Sequence, residues 1–308
     1  MKRELYAIPT LICLLAILIV GGASYAGQDS HPAMGEDASQ WHSSDYARVR
    51  LIRGSQAEDG RDLVGLVIEV EEGWHTYWRS PGALGLPPTF NWDGSENVRG
   101  VDVEWPAPQY IVLGDYETYG YEDRLVLPMR VARADQDAPA RLNLAVGYAV
   151  CETVCIPVLG FVSLALPVGP SAEIGDPVFS DMLQEALVRV PTRDLQSVGI
   201  EVEPAQLHQL EDGAMALRLT LRSQTTFEQP HLIVEGPKGT RFGSPELELL
   251  NNGRELIATI PIDRDELAVA PVGVAVVVTL IDEGGMAIEF PVGAIVASDL
   301  ESAAADPK

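Results

Sequence analysis

The chain has 308 residues, with 21 Lys+Arg against 45 Asp+Glu, a formal net charge of −24 and only 3 Cys. At a usual ~100–200 residues per domain, this is room for one large or two ordinary domains with proper cores. The acid excess excludes nucleic acid as a natural partner, because polyphosphate binding is driven by Lys and Arg displacing counterions, and it disfavours anionic lipid head groups for the same reason.

Residues 1–26 read as a secretory signal peptide. Lys2 and Arg3 give a positive start, Leu11 to Val20 is apolar throughout, and Ala23-Ser24-Tyr25-Ala26 places small residues at the −3 and −1 positions of a cut after Ala26. An uncleaved anchor is the alternative, since Leu5 to Val20 is nearly long enough to span a bilayer. Cys13 follows Leu11-Ile12, where a lipoprotein signal wants small residues, so lipidation there is not expected. Subtracting Lys2, Arg3 and Glu4 leaves 19 basic against 44 acidic side chains and a net charge of −25. No later stretch reaches the ~18 apolar residues of a spanning helix, so membrane contact is expected only through a partner.

Residues 27–44 read as a flexible polar leader, with order beginning near Asp45. From 45 to 168, short β-like runs follow one another: Ala47 to Ile52, Asp62 to Val70, Trp74 to Trp78, Arg124 to Val131, Arg141 to Val150 and Phe161 to Leu166. Pro81-Gly82, Pro87-Pro88, Asp93-Gly94, Pro106 to Pro108 and Gly114-Asp115 break them. Strands at this spacing without intervening helices predict an antiparallel β-sandwich. Trp74 and Trp78, four apart on one strand, share a face and are expected in its core.

Residues 169–196 change character. Asp176-Pro177 can start a helix, and Phe179, Met182, Leu183, Ala186, Leu187 and Val190 fall at helical spacing before Pro191 stops it. The segment reads as a linker with a packing face. Residues 197–298 return to strands, among them Met215 to Leu221, Glu255 to Ile262 and Val272 to Ile281, and predict a second sandwich that contains no cysteine. The tail, 299–308, is expected to be disordered. The expectation is therefore an all-β chain of two sandwiches joined by a short linker helix. The two modules should fold separately, with any thiol chemistry confined to the first.

That chemistry can only rest on Cys151-Glu152-Thr153-Val154-Cys155. On a straight strand the two cysteines would lie about 13 Å apart, whereas a disulfide needs Cα atoms within ~4.4–6.8 Å, so a bonded pair requires a turn between them. The flanking strand-like runs suit a hairpin with this segment at its tip. In an exported protein such a bond can persist, and composition alone favours a plain structural disulfide. Loop size weakens that reading, because closing five residues gains only ~2 kcal/mol in the chain-entropy model. A short-range pair at a loop tip is better placed for exchange with another protein's thiolate. A third reading is a Cu(I) site of Cys151 and Cys155 with Met129 or His75, although no second close ligand pair is present.

Gly73-Trp74-His75-Thr76-Tyr77-Trp78, Pro81-Gly82, Gly85-Leu86-Pro87-Pro88, Trp105-Pro106, Tyr121 to Pro128, and Tyr148-Ala149-Val150-Cys151 with Cys155-Ile156-Pro157 together resemble the N-terminal periplasmic domain of the DsbD thiol:disulfide interchange proteins. The likeness is greatest to the ScsB-like branch linked with copper tolerance. It covers about 45–168, and the order of two sandwiches also resembles the ScsB-like N-terminal region.

The resemblance implies an immunoglobulin-like sandwich that passes reducing equivalents through Cys151 and Cys155, with no cofactor. It also implies a cap shielding the pair, matched here by Gly114-Asp115-Tyr116 with Tyr119 and Tyr121. The cysteine spacing is shorter than in the best-known DsbD proteins, and the Phe usual in their cap is absent. The sequence as given contains neither that family's multi-helix membrane domain nor its thioredoxin-like domain. The implied partners are therefore a separate thioredoxin-like or membrane thiol donor and oxidised periplasmic proteins. The competing expectation is a non-catalytic binding or copper-handling protein with a static disulfide.

Overall fold

A computed structural model describes residues 37–57, 59–82, 85–113, 116–168, 177–210, 214–236, 242–262 and 274–295. The signal peptide, most of the leader, Gly114, Asp115, Asp176 and the tail lie outside the described residues. Eleven strands come first: β1 (His42–Ser43), β2 (Ala47–Gln56), β3 (Asp62–Val70), β4 (His75–Tyr77), β5 (Thr89–Asn91), β6 (Val98–Val103), β7 (Gln109–Leu113), β8 (Tyr116–Glu122), β9 (Arg124–Arg133), β10 (Ala140–Cys151) and β11 (Cys155–Leu166). Helix α1 (Pro177–Val188) leads to β12 (Ile200–Val202), β13 (Gln206–Gln209), β14 (Met215–Ser223), β15 (Pro230–Glu235), β16 (Glu246–Leu250), β17 (Glu255–Ile262), β18 (Val274–Asp282) and β19 (Met286–Ile295). Strands dominate, in antiparallel sheets, and the architecture is all-β and immunoglobulin-like.

Two sheets face each other in the first sandwich, in the orders β1-β2-β3-β9-β6 and β11-β10-β4-β8-β7, with β5 also pairing β10. Period-2 alternation sets what each strand buries. On β10, Leu142, Leu144, Val146, Tyr148 and Val150 enter the core and meet Val49, Leu51, Leu66, Ile68, Leu125 and Leu127 of the opposite sheet. Trp78 is fully buried there, while Trp74 packs half-buried against the same core and stacks on Tyr46 at 4.1 Å. The second sandwich sets β12-β14-β17-β16, with β13 on β14, against β15-β18-β19. Leu217, Leu219, Leu221, Leu256 and Ile260 pack there on Val276, Val278, Leu280, Ile288 and Phe290.

Helix α1 does more than connect. Its apolar stripe of Phe179, Met182, Leu183 and Leu187 lies on Ile52, Leu63 and Val67, on the outer face of the first sandwich. Gly65 makes that approach possible: a Cβ there would stand 2.6 Å from Leu183 Cδ2 and 3.0 Å from Ile52 Cγ1. Leu183 is itself fully buried and has nowhere to retreat. Gly65→Ala is therefore expected to lift the helix and cost about 1–3 kcal/mol by overpacking, read as a lowered urea midpoint. An unchanged midpoint would show that α1 is not seated there.

Past the helix, Thr192 bridges in parallel to Ile288 and ties the chain to β19. The two sandwiches touch through named side chains. Arg79 pairs with Glu235 at 2.7 Å and also with Glu289, Tyr110 stacks on His231 with ring centroids 4.1 Å apart, and Ile233 joins the first core.

Candidate functional site

The cysteine pair sits at the tip of the β10–β11 hairpin. These strands pair in unbroken register from Ala140↔Leu166 to Cys151↔Cys155, so the chain reverses across Glu152, Thr153 and Val154. The turn brings the two Cα atoms to 4.1 Å, and the sulfurs are bonded. On its other side β10 pairs with β4, placing His75 beside Cys151 and Thr76 beside Val150. Directly paired residues share a face of a sheet. His75, Tyr77, Ala149, Cys151 and Cys155 therefore project outward, while Thr76, Tyr148 and Val150 project toward the core.

The two sulfurs differ in access. Cys151 is 1 % exposed, clustered with Tyr77 and Ala149, whereas Cys155 is exposed. Over the bond lies the phenol of Tyr77, whose hydroxyl donates to Cys151 Sγ at 2.8 Å and stands 3.2 Å from Cys155 Sγ. Burial raises the Tyr77 phenol above its ordinary value, so it keeps its proton and remains a donor. The His75 ring sits edge-on to Tyr77 with centroids 5.2 Å apart. Burial holds His75 below its ordinary value against the opposing charge of Glu122, and its Nε2 has no hydrogen-bond partner among the described residues. The imidazole is thus neutral at pH 7.

Tyr77 is held from above by the segment after β4. Thr118 Oγ1 donates to the Pro81 carbonyl at 2.8 Å, as does the Tyr119 amide at 3.1 Å. Gly85, at φ +132°, then lies flat on the Tyr77 ring, where a Cβ would come within 2.7 Å of Cδ1 and Cε1. Both the close approach and the backbone conformation require glycine.

Among the residues matched to the cap, Asp115 lies outside the described residues. Tyr116 opens β8, paired with Leu113 across the β7–β8 hairpin. Tyr119 is half-buried, tilted on Tyr110 and packed against the first core. Tyr121 is buried in that core, pairs with Thr76, and donates its hydroxyl to the Pro106 carbonyl at 2.7 Å. Tyr121 therefore lies on the face of the sheet away from the disulfide, and the phenol on the sulfurs belongs to Tyr77. Tyr77 lies inside the tryptophan motif, and its two-residue spacing from His75, which puts both on one face of a strand, was the available signal. Met129 is fully buried in the sandwich core on β9, in the other sheet, whereas His75 is beside the pair. Among the described residues no group of three or more His, Cys, Asp or Glu is placed to hold a metal ion.

A hairpin-tip disulfide with one reachable sulfur, on an immunoglobulin-like sandwich, has the geometry that thiol:disulfide exchange requires. Residues 48–166 match the family model for the thiol:disulfide interchange protein DsbD, N-terminal, and residues 189–295 match a domain of unknown function (DUF8393). The crystal structure of the N-terminal periplasmic domain of ScsB from Proteus mirabilis superimposes with a TM-score of 0.63 at 25 % identity, covering 84 % of this chain and 99 % of that one. No curated protein matches the chain significantly. The likeness to DsbD N-terminal domains thus spans the cysteine-bearing first sandwich, and the likeness to the ScsB N-terminal domain spans most of the chain. Among the described residues no helix is long and apolar enough to cross a membrane.

Proposed function

We propose that the chain relays reducing equivalents in the periplasm, taking them from a thioredoxin-like or membrane thiol donor and passing them to oxidised periplasmic proteins. The ScsB likeness suggests cells under copper stress as the setting. The observation that carries this reading is the asymmetry of the pair: Cys155 exposed, and Cys151 buried under the Tyr77 hydroxyl.

The chemistry follows from that asymmetry. A donor thiolate attacks Cys155 Sγ, forming a mixed disulfide and expelling Cys151 as a thiolate that accepts the Tyr77 hydrogen bond. The donor's second thiol then attacks its own mixed-disulfide sulfur, releasing the reduced pair and leaving the donor oxidised. In the forward step, the Cys155 thiolate attacks a substrate disulfide. Cys151 then resolves the intermediate, so that two electrons and two protons reach the substrate and the Cys151–Cys155 bond reforms.

Cys151→Ser is accordingly expected to accumulate a covalent complex with its redox partner on a non-reducing gel, after mixing with periplasmic extract or a thioredoxin-like donor, whereas Cys155→Ser is not. Trapping by Cys155→Ser alone would reverse the roles. Trapping by neither would return the pair to a structural role.

A further inference from the structure

The outward face of β11 is unlike an ordinary solvated sheet face. An antiparallel sheet with one wet side normally alternates apolar inward with polar outward. On β11 the inward set is apolar as expected, with Val162, Leu164 and Leu166 buried, but the outward set running away from the disulfide is Cys155, Pro157, Leu159 and Phe161. Leu159 is 57 % exposed and Phe161 59 %, and Val154, at the hairpin tip, is 67 % exposed. Across the ladder their partners are small: Ala149 opposite Pro157, Gly147 opposite Leu159 and Ala145 opposite Phe161. No long polar side chain on β10 therefore rises beside the strip. At ~3.3 Å per residue it extends roughly 20 Å from Cys155 along the terminal strand of its sheet.

Single exposed apolar side chains need no explanation, but a contiguous row on an edge strand invites association, which proteins ordinarily suppress. Here the row begins at the sulfur that a partner must reach. Mixed-disulfide formation brings the partner's Cα to within ~4.4–6.8 Å of Cys155, so the partner's surface necessarily covers the ground around that residue. On the β4 side, that ground is occupied by Tyr77 and by Gly85 lying on its ring; on the β11 side Val154, Pro157 and Leu159 are exposed among the described residues.

We propose that the Pro157-Leu159-Phe161 strip, together with Val154, is the docking surface for a thioredoxin-like protein whose reactive thiolate emerges at a helix N-terminus from an apolar rim. This rests on the exchange reading above and adds to it where the partner sits. The strip supplies apolar contact, and Cys155 at its end supplies the covalent register. A small thiol needs no such surface, so the strip sets the rate only with a protein partner.

The test compares reduction of the oxidised full chain by reduced thioredoxin and by dithiothreitol, in the native protein, in Leu159→Ser/Phe161→Ser, and in Leu249→Ser/Leu250→Ser. The last pair alters exposed apolar residues on β16 of the second sandwich. The expected result is a loss of about tenfold or more in the thioredoxin rate constant for the β11 variant alone, with its dithiothreitol rate unchanged within about twofold. An unchanged thioredoxin rate, an equal loss in the β16 variant, or native reduction by thioredoxin no faster than by dithiothreitol would overturn the proposal while leaving the exchange reading intact. A native dimer that the β11 substitutions dissociate would reassign the strip to self-association. A disulfide that dithiothreitol also fails to reduce would overturn the exchange reading itself.

Discussion

Tyr77→Phe is expected to raise the thiol pKa of Cys151 by about 1–2 units, because the hydroxyl 2.8 Å from Sγ is a hydrogen bond to a charged group, worth roughly 1.5–3 kcal/mol, once that sulfur is a thiolate. The ring and its contact with Gly85 stay, so the change removes one hydrogen bond and little packing. Cys151 is the leaving group when Cys155 is attacked and the nucleophile when the mixed disulfide is resolved; the leaving step should therefore slow by about 10–100-fold. The pH dependence of thiolate absorbance in a Cys155→Ser background, with and without Tyr77→Phe, measures the shift directly. Equal titration curves would show that the phenol only packs over the bond.

Arg79→Met should produce the largest loss of stability. Arg79 lies over Trp78 with its guanidinium carbon 4.4 Å from the ring centroid, and it holds Glu235 and Glu289 of the second sandwich. The Glu289 side chain is 8 % exposed, and without Arg79 it keeps only the largely exposed Arg193. The expected cost is roughly 1.5–3 kcal/mol, or a fall of about 3–10 °C in Tm.

The same substitution should flatten the acid limb of stability. Burial alone would raise the Glu289 carboxyl, but the Arg193 hydrogen bond and the Arg79 charge outweigh it and hold the group below its ordinary range. The unfolded chain then takes up the proton first as pH falls. This contribution is fully present above the unfolded value of about 4.3 and is lost progressively below it. In Arg79→Met less should remain to lose, so melting curves between neutral and acid pH should run closer together than those of the native protein. Parallel losses in both proteins would place the acid sensitivity elsewhere.

Local pattern carried much of this architecture. The alternating runs that became β9 and β10 were legible because each buries mainly one face, and the α1 stripe was legible from its 3.6-residue period; β3 is buried on both faces because α1 covers its outer side. The β7–β8 hairpin was not. Tyr116 to Glu122 has too few apolar residues to alternate, and its strand character comes from pairing with β4 and β7, which only the folded chain supplies.

The site divides in the same way. Two cysteines with three residues between them, flanked by strand-like runs, announced a hairpin tip, but the phenol above them did not announce itself. Tyr77 is 74 residues from Cys151 in sequence, and the register of β4 on β10 brings it there. By the same register Tyr121, two places from Tyr119 on β8, falls on the core side. A motif shows which residues are present, and the face each one takes depends on pairing between strands distant in sequence.

The reduction potential of the Cys151–Cys155 pair tests the central claim most directly, measured by alkylation and mass spectrometry after equilibration in dithiothreitol and glutathione buffers. An exchange-active pair should equilibrate within these buffers with a potential above about −300 mV. A pair that stays oxidised well below about −300 mV would be a structural staple and would contradict the account.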